Sequence, residues 1–155
     1  MKNFFLFLSV SGFLMLNSGC LKDNSCNAKT VESEQATIVN YALANGITAT
    51  VHSSGLHYEV VTAGTGPAPT INSTVSVRYV GKLLNGTVFD TQAGTPVTFP
   101  VNQVIPGWQL GLPLVQEGGT IKLIVPSSLA YGCTGYGAIP ADAILYFEID
   151  LVDVQ

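Results

Sequence analysis

Residues 85–112 read NGTVFDTQAGTPVTFPVNQVIPGWQLGL, and this stretch carries the clearest signals for the fold. It opens with Asn85-Gly86 between two runs rich in β-branched and aromatic residues, which is a strong signal for a β-hairpin. It closes on a segment around Gly107 and Trp108 that fits one short helix, because the ring of Pro113 cannot continue a helix. The stretch therefore predicts a hairpin followed by a short helix, and that helix carries the only tryptophan of the chain.

The strand pattern continues on both sides of this stretch, from Ile47 to the C-terminal end. Runs of β-branched and aromatic residues, separated by clusters of Gly, Pro and Asn, read GLHYEVV, TVSVRYVGKLL, GTVFD, VTF, TIKLIVP and AILYFEIDLVDV. Partly alternating runs with such breaks are typical of antiparallel strands. Residues 47–155 are therefore predicted to form one domain, an antiparallel sheet with one central helix.

Residues 31–46, with the sequence VESEQATIVNYALANG, are predicted to form an N-terminal helix. Glu32 and Glu34 lie in its first turn, where acidic groups suit the helix dipole, and Asn45-Gly46 is a typical helix end. One apolar stripe is formed by Val31, Ile38, Tyr41 and Ala42, with Leu43 at its margin. We expect this stripe to pack on its own domain in a monomer, and a dimerisation helix is the alternative.

Residues 1–19 are predicted to be a signal peptide. Lys2 precedes an apolar run from Phe4 to Leu16, which is shorter than the roughly 20 residues of a spanning helix. The following LNSGC resembles the lipobox of bacterial lipoproteins, which predicts that Cys20 is lipidated and that residues 20–30 form a linker. The protein would then be exported and anchored by lipid in the outer membrane, on its periplasmic or surface face. Simple secretion to the periplasm, or a marginal N-terminal anchor, is the alternative.

The composition excludes several classes of function. The chain has 6 Lys and Arg against 10 Asp and Glu, too few basic groups for a nucleic-acid partner. His52 and His57, the only histidines, have no carboxylate or cysteine at ligand spacing, so both are expected at the surface and no metal site is predicted. Motifs for a serine nucleophile, for zinc or for phosphate binding are absent from the sequence. We therefore expect a function that needs no cofactor and no strong acid or base.

Three segments, in this order, point to a family: VRYVGKLLNGTVFDT, VIPGWQLGL and AYGCTGYGAIPADAILYFEIDLV. Together they resemble the FKBP-type peptidyl-prolyl cis-trans isomerases over roughly residues 55–154. The resemblance implies an α+β fold in which a five-stranded antiparallel sheet wraps around one short helix, here preceded by the N-terminal helix. It also implies that residues 47–155 are the isomerase domain, with an aromatic pocket for a substrate proline.

The resemblance assigns the residues of this pocket. The catalytic set that it implies is Tyr79, Phe89, Asp90, Tyr131 and Phe147. The substrate-binding set that it implies is Val97, Phe99, Val104, Ile105, Trp108, Tyr136 and Ile139, with the indole as the floor of the pocket and Val97 where many members have an aromatic residue. Large apolar residues could serve the core alone, but burying two tyrosine hydroxyls and a carboxylate for packing is unfavourable.

The expected substrates are proline-containing polypeptides, and a macrolide is a possible inhibitor. Isomerisation of an X-Pro bond meets a barrier of about 18–20 kcal/mol, because amide resonance is lost as the bond twists. The twisted amide has less charge separation than the planar amide, so an apolar pocket favours it without a nucleophile. Two alternatives remain: a proline-binding chaperone that does not catalyse turnover, and a structural surface lipoprotein with a vestigial pocket.

The remaining cysteines form an even pair. Lipidation of Cys20 leaves Cys26 in the linker and Cys133 in the YGCTGYG loop beside the expected pocket. Disulfides persist in the oxidising compartments to which proteins are exported. A Cys26–Cys133 disulfide is therefore predicted, and two free thiols are the alternative.

Overall fold

A computed structural model of the protein describes residues 26–155, so the predicted signal peptide and Cys20 lie outside the described residues. Its two α-helices are α1 (Val31–Ala44) and α2 (Pro106–Gly111). The strands are β1 (Thr50–Val51), β2 (His57–Thr62), β3 (Thr74–Leu83), β4 (Val88–Pro100), β5 (Thr120–Val125) and β6 (Leu145–Val154). Within residues 26–155, no helix combines the length and the apolar character needed to cross a membrane.

All six strands form one antiparallel sheet in the order β1-β2-β5-β6-β3-β4. The predicted α+β class, the antiparallel sheet and the single short helix against it are confirmed. The predicted number of five strands is one too low, because the two-residue strand β1 pairs with β2 at the edge of the sheet. The predicted separate strands GTVFD and VTF are one strand, β4, whose register against β3 shifts between Val77 and Tyr79.

One face of the sheet packs against α2 and holds the larger core. Leu123 and Phe147, which are cross-strand partners in β5 and β6, point into this core together with Trp108 of α2. Gly107 and Gly111 allow α2 to approach the sheet closely. A Cβ atom on Gly111, for example, would lie 2.7 Å from Leu123 Cδ1. The same helix therefore places the tryptophan directly over the sheet.

Helix α1 packs on the opposite face, where Ile38 and Ala42 contact Ile124 and Tyr146. The apolar stripe therefore packs on its own domain, whereas Leu43 is 75% exposed and lies outside it. The helix begins after Thr30, whose Oγ1 accepts a hydrogen bond from the Ser33 N–H, and it ends at Ala44 rather than at residue 46.

Two polar side chains are more buried than the sequence predicts. The expectation that His57 lies at the surface is wrong: its side chain is 2% exposed, because β2 lies inside the sheet between β1 and β5. Glu34 is also 2% exposed, and its Oε2 accepts a hydrogen bond of 2.8 Å from the Ser127 N–H. The first turn of α1 is thereby joined to the segment that follows β5.

A disulfide joins Cys26 to Cys133, with the two Cα atoms 5.6 Å apart. The bond links residues 107 positions apart in sequence. Cys133 lies in a short 3₁₀ turn, Gly132–Thr134, within the loop between β5 and β6. The segment that precedes α1 is therefore covalently attached to this loop.

Candidate active site

Trp108 lies on the first turn of α2 and is 4% exposed. Its indole makes edge-to-face contacts with Tyr79 of β3 and Phe147 of β6, each with ring centroids 5.1 Å apart. Phe99 of β4 packs against it in a tilted arrangement at 5.7 Å. Three strands thus fix one face and the edges of the indole, and aromatic pairs in such geometries stabilise each other beyond simple burial.

A cavity of about 300 Å³ opens above this indole. It is lined by Tyr79, Phe89, Asp90, Phe99, Gln103, Val104, Ile105, Trp108, Tyr131 and Phe147. These residues come from β3, β4, α2, β6 and the connecting loops, and the sheet and the short helix bring them together. Aromatic and apolar side chains form most of its lining, and Asp90, Gln103 and the two tyrosines add polar groups, which suits the binding of a small organic group.

Asp90 is exposed, and its Oδ2 accepts a hydrogen bond of 2.6 Å from the Tyr79 hydroxyl. Burial raises the pKa of Tyr79 above its usual value, and the hydrogen bond to Asp90 and its negative charge raise that pKa further. The phenol therefore stays protonated at neutral pH and remains a donor to the carboxylate. Asp90 orients a tyrosine here, and nothing in this geometry requires it to act as a base.

Phe89 and Phe147 form another wall of the cavity, and their rings are in edge-to-face contact with centroids 5.6 Å apart. Gly81 of β3 makes room for both rings, since a Cβ atom there would lie 2.8 Å from Phe89 Cε2 and 3.0 Å from Phe147 Cε1. Sequence reasoning missed Gly81. A glycine inside a strand of β-branched and aromatic residues was the available signal, because such a glycine often marks a close approach.

Tyr131 and Tyr136 stand at the rim, with nearly parallel rings 5.2 Å apart. Burial raises the pKa of Tyr131, and the nearby Tyr136 and Asp90 raise it further, so its hydroxyl is a proton donor at neutral pH. Tyr136 and Ile139 do not line the main cavity. They line an adjacent cavity of about 150 Å³ that shares Phe89, Asp90 and Tyr131 with the first.

Val97 and Gln103 differ from the prediction. Val97 lines neither of these two cavities; it pairs with Val77 and packs against the core, because a valine lacks the reach of an aromatic ring at this position. Gln103 lines the main cavity but carries no signal in the sequence, since it is one polar residue at the end of the short 3₁₀ turn Val101–Gln103. No group of three or more potential metal ligands occurs within residues 26–155.

The backbone beside Trp108 is held in place by hydrogen bonds. The Val104 carbonyl accepts a hydrogen bond of 2.8 Å from Gln109 Nε2, and the Ile105 carbonyl accepts one of 2.9 Å from the Trp108 N–H. No described residue accepts a hydrogen bond from the Ile105 N–H. One backbone donor at the cavity is therefore available to a bound ligand.

Comparison with known proteins gives consistent matches. The family model for the FKBP-type peptidyl-prolyl cis-trans isomerase matches residues 66–152. An FKBP-type peptidyl-prolyl cis-trans isomerase FkpA from Aeromonas hydrophila is 47% identical over 104 residues, which cover 66% of this chain and 39% of that protein. The outer membrane protein MIP from Legionella longbeachae is 47% identical over 105 residues, which cover 66% of this chain and 45% of that protein.

The crystal structure of FkpA from Escherichia coli superimposes with a TM-score of 0.72 at 39% sequence identity, over 81% of this chain and 61% of that chain. The matched part of this chain spans less than half the length of the two curated relatives. The part of the chain that the family model matches, residues 66–152, includes all the residues that line the main cavity.

Proposed function

Because the chain belongs to the family of FKBP-type peptidyl-prolyl cis-trans isomerases, we propose that it accelerates the isomerisation of X-Pro bonds in exported polypeptides. The observation that carries this proposal is the aromatic cavity over Trp108, with the Tyr79–Asp90 hydrogen bond at its edge. The cavity has a flat apolar floor on which a pyrrolidine ring can rest.

Catalysis in such a cavity follows from the physics of the amide. The planar X-Pro amide carries separated charge, which water stabilises, whereas the twisted amide at the top of the barrier carries less. Transfer into walls formed by Phe89, Phe99 and Phe147 therefore destabilises the planar form relative to the twisted one. Binding that is stronger in the transition state than in the ground state raises the rate, and no covalent intermediate is needed.

Polar groups at the rim orient the substrate in this proposal. The Ile105 N–H and the protonated Tyr131 hydroxyl donate hydrogen bonds to substrate carbonyls. Asp90 keeps the Tyr79 ring in place against Trp108 through its hydrogen bond. Tyr136 and Ile139 contact the residues that flank the proline, and a macrolide that mimics the twisted amide competes for the main cavity.

We predict that Phe89→Ala and Asp90→Val each lower kcat/KM in a protease-coupled assay. Loss of the phenyl wall should lower the rate about tenfold or more, which corresponds to about 1.4 kcal/mol of transition-state stabilisation. Val88→Ala is the matched control, because this neighbour is exposed and lies outside the cavity. Wild-type rates in both folded variants would contradict the assigned pocket.

The same assay addresses the chaperone alternative. A proline peptide that changes Trp108 fluorescence on binding, without any acceleration by the wild-type protein, would favour a binding module over an enzyme.

The proposal for localisation is an exported lipoprotein. It consists of a signal peptide (1–19), a linker after lipidated Cys20 (20–30), the N-terminal helix (31–46 in the sequence) and the isomerase domain (47–155). Two findings support it: the name of the Legionella relative, an outer membrane protein, and the Cys26–Cys133 disulfide, which suits an oxidising compartment. The outer membrane is the proposed site, with the periplasm as the alternative.

We predict that Cys20→Ala moves the protein from the membrane fraction to the soluble fraction and abolishes acyl labelling. Without Lys2 the mature chain has 5 basic residues, one fewer than the 6 of the full chain, against 10 acidic ones. Attraction to anionic lipid therefore cannot replace the anchor. Continued membrane association of the Cys20→Ala protein would refute the lipidation.

A further inference from the structure

The disulfide attaches the N-terminal segment to the loop that carries two cavity-lining tyrosines. Cys133 follows Tyr131, which lines the main cavity, by two residues, and it precedes Tyr136 of the adjacent cavity by three. Cys26 is exposed and is covalently joined to Cys133. Cys26, the first described residue, is therefore attached to the loop that carries Tyr131 and Tyr136.

This attachment point is fixed to the body of the domain. The buried Glu34 carboxylate accepts the Ser127 N–H, so the start of α1 is joined to the segment that leads into the Cys133 loop. The Asp142 N–H donates to the Gly132 carbonyl at 2.8 Å, which holds the other side of the loop. These hydrogen bonds attach the Cys133 loop, and through the disulfide also Cys26, to the rest of the domain.

The disulfide shortens the path between Cys20 and the folded domain. Six residue steps separate Cys20 from Cys26, which an extended chain spans in at most about 20 Å. Without the disulfide, the first residue held by the fold is Val31 at the start of α1. That path has eleven steps and reaches about 40 Å when extended.

We propose that the Cys26–Cys133 disulfide holds the rim of the cavity near the lipid surface, with Cys26 at most about 20 Å from lipidated Cys20, so that the substrates are proline-containing segments close to the membrane. The inference rests on the proposed lipidation of Cys20. The mature chain has 5 basic residues against 10 acidic ones, so we expect the tether rather than attraction to anionic headgroups to set the distance. Polypeptides that emerge from the membrane, or fold against it, are then the chains that the cavity meets.

The test uses energy transfer from Trp108, the only tryptophan and the floor of the cavity, to a dansyl-labelled lipid headgroup. The lipidated full-length protein is purified from membranes under oxidising conditions and reconstituted in vesicles that contain this lipid. We expect strong transfer in the oxidised protein and a severalfold decrease in the Cys26→Ser/Cys133→Ser variant. Equal transfer in the two proteins would overturn the inference.

Two insertions provide a matched control. Ten Gly-Ser residues between Ser25 and Cys26 lengthen the path to the disulfide, so transfer should fall severalfold. The same ten residues between Cys26 and Asn27 lie behind the disulfide and should leave transfer unchanged until a reductant is added. Equal effects of the two insertions in the oxidised state would also overturn the inference.

Mass spectrometry of the same samples separates this inference from the proposed function. Absence of an acyl group on Cys20 would remove both the lipoprotein proposal and the tether. An acylated Cys20 with weak transfer in the oxidised protein would remove the tether alone. Free thiols at Cys26 and Cys133 in the membrane-derived protein would also remove the tether alone. Isomerase activity on a soluble peptide is independent of all three outcomes.

Discussion

Single residues decide how this site is built. Gly81 is an example, because the contact between Phe89 and Phe147 exists only where β3 lacks a side chain. The Tyr79 hydroxyl is another: its hydrogen bond to Asp90 joins two neighbouring strands at the edge of the cavity. The pocket therefore depends on one absent side chain and one polar pair as much as on its aromatic rings.

His57 gives a prediction about pH at the scale of one residue. Burial lowers its pKa below the usual value of a histidine. Below about pH 6.5 the unfolded chain binds a proton that the folded chain does not, so the free energy of unfolding decreases as the pH falls. The slope reaches at most about 1.4 kcal/mol per pH unit and vanishes below the folded-state pKa.

Urea unfolding of His57→Gln across this range measures the effect. The variant should lose this component of the pH dependence, whatever its stability at neutral pH. His52→Gln is the control and should retain it, because His52 is only half-buried and contacts Ser54 near the surface. If the free energy of unfolding depends on pH in His57→Gln as it does in the wild-type protein, this histidine is not the cause of that dependence.

At the scale of elements, local sequence signals predicted the strands and the helix that carry the site. Asn85-Gly86 indicated the turn between β3 and β4, and Pro113 indicated where α2 ends. The two-residue strand β1 could not be predicted, because its formation depends on pairing with β2 rather than on a pattern of its own. The burial of Glu34 could not be predicted either, since its hydrogen-bond partner Ser127 lies 93 residues away in the chain.

The site was predictable to the extent that a motif carried it. Tyr79, Phe89 and Trp108 lie within such motifs, and they line the cavity together. Gln103 reaches the cavity from a 3₁₀ turn whose conformation only the folded chain defines. Val97 was assigned by position in the family, and packing against Val77 takes it out of the cavity.

The attachment of the segment before α1 to the β5–β6 loop gives a prediction about stability. By the chain-entropy model, a disulfide that closes a loop of about 100 residues stabilises a protein by about 4–5 kcal/mol, less any strain. Cys26→Ser/Cys133→Ser should therefore lower the melting temperature clearly, and a reductant should have the same effect on the wild-type protein. Peptide mapping should find one Cys26–Cys133 crosslink, and an insensitive melting temperature would contradict the stabilising role.

At the scale of the whole molecule, the two faces of the sheet carry different elements. One face holds α2 and the cavity, and the opposite face holds α1. The disulfide connects the segment before α1 to the loop beside the cavity. That loop also carries Tyr131 and Tyr136, which line the two cavities.

If this aromatic cavity catalyses rotation about X-Pro bonds, exchange NMR of a proline peptide will detect it. Free in solution, such a peptide interconverts between its cis and trans forms over tens to hundreds of seconds, roughly. With a catalytic amount of the protein, the account predicts cis-trans exchange cross-peaks on a subsecond timescale, and their loss in Phe89→Ala. Exchange that stays as slow as in the free peptide, while Trp108 fluorescence shows that the peptide is bound, would contradict the account.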